Sequence, residues 1–362
     1  MAMPFAVYGW WHGGYGETAA RTANMLAVAD GAANRSVMEA PIDAADTGPP
    51  APRRLADEIA MLGAAFDGDV GIAIRAVEKG WVVGHDAGRR YPQQSVSKLW
   101  VALTTLDQVD SSDIALDEPM TLTRADLTIF HQPIRSRIGN GSYTTDIAEL
   151  LTLAMTRSDN TANDALFRRA GGQPAVQRFL ADNKLDGIAV SPGEKTLQMR
   201  IAGMQWDDSF STGRTFWRTR EQIPMRLRAR SLGAYLADPL DGATPLAITE
   251  ALARLQRGEL LSPEMTAYLI GLMTQSKTGP KRLRGGLEAG WTLPHKTGTG
   301  QDLAKLSTAY NDVGLLVSSS GNHYALAVMI GATNRPIPER QVLMQAVTRA
   351  VIRCEEEGWP GC

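Results

Sequence analysis

Two β-rich regions, one near each end of the periodic part of this 362-residue chain, constrain its fold more than any other feature. Each region contains two runs of β-branched and aromatic residues separated by a short turn-forming segment, a pattern typical of a β-hairpin. The predicted strands are residues 70–77, 81–84, 308–317 and 323–330. Between the hairpins, residues 95–279 carry apolar side chains mainly at helical spacing. This order predicts an α/β (α+β) fold: an antiparallel sheet lobe built from both termini and flanked by helices, with an inserted all-helical lobe.

The same periodicity predicts individual helices and domain boundaries. The predicted helices are residues 96–106, 145–155, 160–169, 173–180, 247–257 and 337–353. Residues 1–51 show no strong period and end in a Pro-rich breaker, so we expect an N-terminal extension there. The sheet lobe would then comprise residues 52–92 and 280–354, with a helical lobe at 93–279 and a tail at 355–362.

Charge and composition exclude several classes of function. The chain has 37 Lys and Arg against 39 Asp and Glu, a net charge of −2, which argues against nucleic-acid binding. Hydrophobic residues make up 44% of the sequence, which is typical of a globular protein with a sizeable core. No stretch approaches the roughly 18 uninterrupted apolar residues of a membrane span, so we expect none.

Cysteine and histidine usage gives no metal-site pattern. Cys354 and Cys362 lie close together near the C-terminal end, where they either pair or stay free. We favour free thiols, because an exposed tail is a poor place for a structural bridge. Five scattered histidines and these cysteines show no zinc-ligand spacing, so we expect no metal. Residues 1–33 lack a basic segment followed by an apolar run, and no secretory signal is recognisable there.

Three short motifs occur in an order that indicates nucleophilic catalysis without histidine. They are Ser-Val-Ser-Lys at 95–98, Ser-Asp-Asn at 158–160 and Lys-Thr-Gly at 296–298. Ser95 and Lys98, three positions apart at a predicted helix start, share one face, where the helix N-terminus stabilises a developing anion. A partly desolvated lysine beside a second cation has a lowered pKa. We therefore expect Lys98, with Lys296 as the second cation, to accept the proton of Ser95.

Each motif alone also has an ordinary structural interpretation. Ser95 and Lys98 could be a pair on a helix surface, and the Ser-Asp-Asn motif could be a helix N-cap. The Lys-Thr-Gly motif could be a strand that ends at a turn. All three in this order, two on predicted helices and one beside a predicted strand, favour a catalytic site.

With these motifs the sequence resembles the superfamily of serine β-lactamases and penicillin-binding proteins, and within it the class A β-lactamases. Glu194, in Glu-Lys-Thr-Leu-Gln at 194–198, is similar in spacing and local pattern to the general base on the class A omega loop. A lone glutamate on a loop is more often only solvated. The run His-Lys-Thr-Gly-Thr at 295–299 most resembles the PER-type branch. The resemblance covers the chain from about Pro52 to the final helix and implies a β-lactamase-like fold.

The resemblance also implies a role for each residue of the site. Ser95 would attack the lactam carbonyl, its proton passing either to Lys98 or to a water held by Glu194. Ser158 would relay a proton to the departing nitrogen, and Glu194 would activate the water that hydrolyses the acyl-enzyme. The backbone N–H groups of Ser95 and Thr299 would form the oxyanion hole. The implied substrate-binding side of the site consists of Asn160, Lys296, Thr297, Gly298, Thr299, Gln198, Arg282 and His131.

Two of these residues have an ordinary alternative. Arg282 either lies under the substrate carboxylate or is a solvated arginine in the basic stretch 281–284. His131 either stands at the cleft entrance, where the family often has an aromatic residue, or is a surface-loop histidine. The resemblance further implies a small-molecule β-lactam substrate, no cofactor, a monomer, and a periplasmic or secreted location.

The sequence departs from the class A pattern around the omega loop. Gln198 replaces the asparagine that holds the deacylating water together with the glutamate, and its longer amide either still reaches that water or displaces it. Residues 199–243 form an enlarged stretch that should reshape substrate access or cover the pocket as a lid. Asp241 matches the carboxylate of the family's omega-loop salt bridge, but Pro192 stands at the arginine position. Either an inserted arginine pairs with Asp241, or the loop is held differently.

Two other functions remain open beside the main hypothesis of a class A-like serine β-lactamase. A D,D-peptidase or esterase of the same fold would use Ser95, Lys98, Ser158 and Lys296 but would not need Glu194. A penicillin-binding sensor would be acylated and then deacylate slowly. The second outcome is expected if Gln198 and the enlarged stretch disrupt the water site.

Overall fold

A five-stranded antiparallel sheet joins the two ends of the chain in the computed structural model, which describes residues 50–362. The strands are β1 Asp69–Ala76, β2 Val82–His85, β3 Tyr91–Pro92, β4 Pro119–Thr123, β5 Ser142–Asp146, β6 Gly242–Ala243, β7 His295–Thr299, β8 Ser307–Val317 and β9 His323–Thr333. Both predicted hairpins are present, as β1 with β2 and β8 with β9. Because β1 also pairs with β9, the strand order is β2-β1-β9-β8-β7. The predicted sheet lobe is confirmed.

Helices occupy most of the chain between the two hairpins. The helices are α1 Arg53–Ala65, α2 Lys98–Asp110, α3 Arg135–Ile138, α4 Ile147–Thr156, α5 Asn160–Arg169, α6 Gly172–Asp182, α7 Glu194–Ala202, α8 Thr215–Gln222, α9 Met225–Ala237, α10 Pro245–Gln256, α11 Pro263–Thr274 and α12 Ile337–Glu356. All six predicted helices are present, with ends displaced by a few residues. Local caps explain several starts: the Asp146 side chain accepts the Glu149 N–H ahead of α4, and Thr244 accepts the Ala247 N–H ahead of α10.

The sheet separates two hydrophobic cores because successive strand residues point to opposite faces. In β9, Leu326, Val328 and Ile330 join the core formed with α1 and α12. The alternate residues Ala325, Ala327 and Met329 join the larger core, which contains α10 and the helical lobe. Helix α2, which follows Ser95, lies almost wholly within that larger core. The segment that carries Ser95 and Lys98 is therefore anchored to a buried helix.

The inserted lobe is not wholly helical, and the all-helical expectation is wrong in this detail. β4 and β5 form a separate two-stranded antiparallel sheet, in which the hydroxyls of Thr121 and Thr144 lie 3.0 Å apart. Both strands are short and mostly exposed, with threonine on the outer face. Such an alternation of β-branched residues favours strands, but over five residues it is a weak signal.

The enlarged stretch 199–243 folds as helices packed on two small hydrophobic clusters. Helix α7 leads into it, and a single 3-10 turn at Asp208–Ser211 precedes α8 and α9. One cluster contains Ile129, Met199, Ala202, Phe210 and Phe216. The other contains Leu197, Ile201, Leu232, Tyr235 and Leu303. The stretch thus contacts both the loop before the Ser-Asp-Asn motif and the loop after β7.

The C-terminal segment corrects the expectation of free thiols, because Cys354 and Cys362 form a disulfide with their Cα atoms 5.6 Å apart. The tail was expected to be exposed, but Trp359 is buried in the same core as Cys354. The predicted N-terminal extension lies, except for its last two residues, outside the described residues. Within residues 50–362, no helix is long and apolar enough to cross a membrane.

Candidate active site

Ser95 and Lys98 are in direct contact at the start of α2. Ser95 lies in a 3-10 turn at Gln94–Ser97, and Lys98 is the first residue of the helix that follows. Lys98 Nζ donates to Ser95 Oγ at 2.7 Å and to Asn160 Oδ1 at 2.8 Å. Because Lys98 is only 2% exposed, its pairing with Ser95 is not a helix-surface contact.

Burial lowers the pKa of Lys98, as the sequence predicts. Loss of solvation is the main effect, and the negative charges of Glu194, Asp164 and Asp159 oppose it. The expected repulsion between the two lysines is evident at Lys296. Its pKa is well below the usual range, first through burial and then through the charges of Lys98 and Arg282.

The Ser-Asp-Asn motif is both a helix cap and part of the site. Asp159 is the N-cap of α5, accepting the Ala162 N–H at 3.0 Å, and its other oxygen accepts the Ile134 N–H at 2.6 Å. Ser158 is held in a left-handed conformation, with φ of 59°. Asn160 Nδ2 donates to Ile129 O and to Glu194 Oε1, both at 2.9 Å. The cap therefore places Ser158 and Asn160 on the same side as Lys98.

Strand β7 brings the Lys-Thr-Gly motif alongside Ser95. Lys296 is fully buried, and its Nζ donates to Ser158 Oγ at 2.9 Å. At Gly298 the strand passes so close to the preceding turn that a Cβ there would lie 2.2 Å from Gln93 O. Glycine is required for this approach, which places Thr299 next to the segment that carries Ser95.

Arg282 lies beneath β7 rather than in solvent. Its guanidinium donates to Gly298 O at 2.8 Å, to Asn311 O at 2.6 Å and to Thr299 Oγ1 at 2.6 Å. It also stacks over the Tyr310 ring at 3.8 Å. The solvated interpretation of Arg282 is therefore wrong. Its hydrogen bond to the Thr299 hydroxyl places its positive charge at the outer edge of the site. Thr297 completes this edge with a 2.7 Å hydroxyl contact to Thr278.

Glu194 begins a helix, whereas the sequence placed it on a loop. Gly193, with φ of 127°, turns the chain, and the residues that follow are good helix formers with Leu197 and Ile201 on one face. The Glu194 side chain accepts hydrogen bonds from Asn160 and, at 3.0 Å, from Gln198 Nε2. Burial raises the pKa of Glu194, and the nearby charges of Lys98 and Lys296 oppose the rise.

Asp164 is a buried site residue that sequence reasoning missed. Its Oδ1 accepts the backbone N–H of Glu194 at 3.2 Å, which fixes the first turn of α7. Burial, followed by the charge of Glu194, raises its pKa to about 6. Its position four residues after Asn160, on the same face of a helix, is a signal that could have identified it.

Asp241 is not held by an arginine. Tyr235 OH donates to its Oδ1 at 2.9 Å, and the backbone N–H of Gln94 donates to its Oδ2 at 2.6 Å. Among the hydrogen bonds and ion pairs of residues 50–362, no arginine reaches this carboxylate. The second alternative from the sequence is therefore the observed one: the loop is held differently, by Tyr235 of the enlarged stretch.

The mouth of the site is bordered by aromatic residues of the enlarged stretch. Phe130 lies between the two backbone carbonyls that contact Asn160, and its ring packs against Phe216 at 5.1 Å and Trp217 at 5.5 Å. At the far end of the same helix, Arg220 Nη2 donates to Asp302 O at 3.0 Å, in the loop after β7. Helix α8 thus connects both rims of the cleft. The His131 imidazole is exposed beside this rim, and only its backbone carbonyl contacts Asn160.

Six of the predicted residues form two hydrogen-bonded groups that lie side by side. A serine hydroxyl is hydrogen-bonded to a buried lysine, the lysine to an asparagine, and the asparagine to a glutamate. A second buried lysine is hydrogen-bonded to a second serine. Such an arrangement can activate a hydroxyl nucleophile, deliver a proton and hold an anion. The first group is Ser95, Lys98, Asn160 and Glu194, and the second is Ser158 and Lys296.

Comparisons with known proteins agree with the motifs. The sequence model of a family described as the beta-lactamase enzyme family matches residues 54–354. Beta-lactamase L2 of Stenotrophomonas maltophilia is 30% identical over 291 residues, which cover 80% of each chain. The extended-spectrum beta-lactamase PER-1 of Pseudomonas aeruginosa is 28% identical over 67% of this chain and 68% of its own. The structure of an ancestral class A beta-lactamase, GNCA, superposes with a TM-score of 0.67 at 26% identity, covering 83% of this chain and 99% of that one.

The family match extends over most of the chain, from α1 to the end of α12, and the relatives share both the sheet lobe and the helical lobe. The resemblance inferred from the three motifs is confirmed. This chain belongs to the β-lactamase enzyme family and, within it, to the class A hydrolases.

Proposed function

We propose that this protein is a serine β-lactamase that opens β-lactams through an acyl-enzyme on Ser95. The observation that carries the proposal is the 2.7 Å hydrogen bond between Lys98 Nζ and Ser95 Oγ, made by a lysine that is buried. Burial lowers the pKa of Lys98 and so makes its neutral amine easier to reach than that of a solvated lysine. The neutral amine can donate to Asn160 Oδ1 while its lone pair accepts the proton of Ser95.

In the acylation step, Ser95 Oγ forms a bond to the lactam carbonyl carbon as its proton passes to Lys98. The ring C–N bond then breaks, and the proton held by Lys98 passes through the Ser158 hydroxyl, whose oxygen accepts a hydrogen bond from Lys296, to the nitrogen. The backbone N–H groups of Ser95 and Thr299 hold the carbonyl oxygen as it becomes negative. The β7 edge suits the substrate carboxylate, because Lys296, Thr297 and Thr299 can donate hydrogen bonds to it and charge-assisted hydrogen bonds are strong.

In the deacylation step, Glu194 takes a proton from a water whose oxygen attacks the ester carbon. The ester C–O bond breaks, and the proton taken by Glu194 is delivered to Ser95 Oγ, which restores the free serine and the ionised glutamate. For this role Glu194 must be ionised. The positive charges of Lys98 and Lys296 favour the ionised form, and the amide of Asn160 donates to it.

Glu194 also supports a lactamase over a D,D-peptidase or an esterase of the same fold, because those activities would not need a carboxylate linked to Lys98 through Asn160. A penicillin-binding sensor is the second candidate. It is supported by Gln198, whose amide oxygen accepts from Gln301 Nε2 and is therefore not directed at a water on Glu194. The proposal includes a monomer and a periplasmic or secreted location, since β-lactam targets lie outside the cytoplasm.

The test is the hydrolysis of a penicillin and a cephalosporin by the purified protein, with Ser95→Ala as control and a D-Ala-D-Ala peptide as competing substrate. The proposal predicts catalytic opening of the lactam by the native chain, none by the variant, and no peptide cleavage at a comparable rate. Peptide cleavage without lactam turnover would refute the proposal and favour the peptidase.

A further inference from the structure

A chain of buried side chains connects Asp241 to the carboxylate of Glu194. Tyr235 OH donates to Asp241 Oδ1, and Gln94 Nε2 donates to Tyr235 OH at 2.6 Å. Gln94 Oε1 accepts from Gln198 Nε2 at 2.9 Å, and the same Nε2 donates to Glu194 Oε1 at 3.0 Å. Each of the three residues between the two carboxylates is at most 5% exposed.

The direction of every hydrogen bond in this chain follows from the carboxylate at its first end. Burial raises the pKa of Asp241 to about 6, and above that pH the ionised carboxylate only accepts, so the Tyr235 hydroxyl must donate to it and can only accept from Gln94. Gln94 must then present its NH₂ group to Tyr235 and its amide oxygen to Gln198. Gln198 is therefore required to donate.

The other end of the chain imposes the same direction. Glu194 is also an acceptor, so Gln198 must turn its NH₂ group towards it. The oxygen of Gln198 then faces Gln301, whose Nε2 donates to Gln198 Oε1 at 2.8 Å and to Gln198 O at 2.9 Å. A rotated Gln198 amide would set its oxygen against both Glu194 and Gln94 Oε1, and its NH₂ group against that of Gln301. Only one orientation satisfies all of these contacts.

We infer that Tyr235 and Gln301 are positioning residues for deacylation, which lock the Gln198 amide with its N–H group on Glu194 Oε1 and leave Glu194 Oε2 to receive the hydrolytic water. The inference rests on the proposed function. Both amide donors of the described chain that reach the Glu194 side chain, from Asn160 and Gln198, bind Oε1. The Gln198 oxygen is occupied by Gln301, so it does not hold the water as the family's asparagine does. The enlarged stretch therefore supplies, through Tyr235, part of the water site.

The fixed orientation of the Gln198 amide affects the pH dependence of deacylation. A hydrogen bond to the charged form of a carboxyl lowers its pKa, and Gln198 supplies such a bond to Glu194. The other charged or titratable groups around Glu194 are Lys98 on α2, Asp164 on α5, Lys296 on β7 and the pair Tyr235 and Asp241. Release of Gln198 raises the Glu194 pKa, and the acid limb of deacylation then moves to higher pH.

The experiment compares Tyr235→Phe and Gln301→Met with the native chain. Phenylalanine keeps the packed ring but cannot link Asp241 to Gln94, and methionine keeps the length of the glutamine but cannot donate. Tyr324→Phe is the matched control, since Tyr324 OH donates to Glu355 at 2.7 Å in the other core. Time-resolved mass spectrometry with a penicillin separates acylation from deacylation, and repeating it between pH 5 and 8 gives the acid limb.

In both site variants we expect acylation of Ser95 at nearly the native rate, deacylation slowed by about tenfold, and an acid limb at higher pH. The control should behave as the native chain does. Unchanged deacylation in both variants, or acylation and deacylation reduced equally without a pH shift, would overturn the inference alone. A native chain that is not acylated would instead refute the proposed function on which the inference rests.

Discussion

Replacing Gly298 by alanine should disable acylation without unfolding the protein. A Cβ at this position would lie 2.2 Å from Gln93 O, whereas the closest ordinary carbon–oxygen contacts are about 3.3 Å. Strand β7 must therefore move about 1 Å away from the turn that carries Ser95. Thr299, the next residue on the strand, moves with it. Because reacting groups must be placed within fractions of an ångström, a displacement of about 1 Å costs roughly 100-fold in rate.

The assay is the pre-steady-state rate of Ser95 acylation by a penicillin, with the thermal midpoint of unfolding measured on the same samples. Gly271→Ala is the control, because the residue is inside helix α11 and the added Cβ would have no neighbour within 4 Å apart from the adjacent backbone of that helix. That change should leave acylation intact and raise stability by about 0.5–1 kcal/mol. Native-rate acylation by Gly298→Ala would refute the reasoning, since the separation of β7 from Ser95 would then not set the oxyanion hole.

Two further predictions concern the buried carboxylate of α5 and the aromatic rim. The pKa of Asp164 is raised to about 6 in the folded protein from an ordinary 3.8. Between pH 3.8 and 6 the folded protein therefore keeps a proton on Asp164 that the unfolded chain has lost, so the stability of the folded state falls as the pH rises through this window. Asp164→Asn keeps an acceptor for the Glu194 N–H. Measured by urea unfolding, this variant should be more stable than the native chain by up to about 3 kcal/mol at pH 7 and should differ little from it at pH 4. Equal stability of the two proteins at both pH values would contradict this prediction. Trp217→Ala removes a ring that packs on Phe130 at the mouth, and it should raise kcat/KM for a bulky cephalosporin relative to a small penicillin by about 2- to 10-fold; an unchanged ratio would show that the rim does not limit access.

The parts of the site that sequence predicted are those whose chemistry is local. Ser95 and Lys98 lie one turn apart, and Ser158 to Asn160 form a cap whose position relative to α5 follows from short-range rules. The two hairpins and the closing helix were predictable for the same reason, since their periodicity is intrinsic to the segment.

The parts that sequence did not predict depend on long-range packing. Gln94 meets Tyr235 across 141 residues of chain, and Gln198 meets Gln301 across 103, so no spacing rule connects them. The disulfide was missed because its formation depends on Trp359 returning to the core of the sheet lobe. The sequence leaves a solvated alternative for Arg282 open, because nothing in the mostly basic stretch 281–284 indicates that one of its residues lies under β7.

The central claim is that Ser95 is acylated and that Glu194 removes the acyl group. Time-resolved mass spectrometry of the native chain and of Glu194→Ala, each mixed with a penicillin, tests it most directly. The account predicts that the native chain returns quickly to its free mass, whereas the variant accumulates a stable adduct on Ser95. A variant that deacylates as fast as the native chain, or a native chain that never carries an adduct and never consumes the penicillin, would contradict the account.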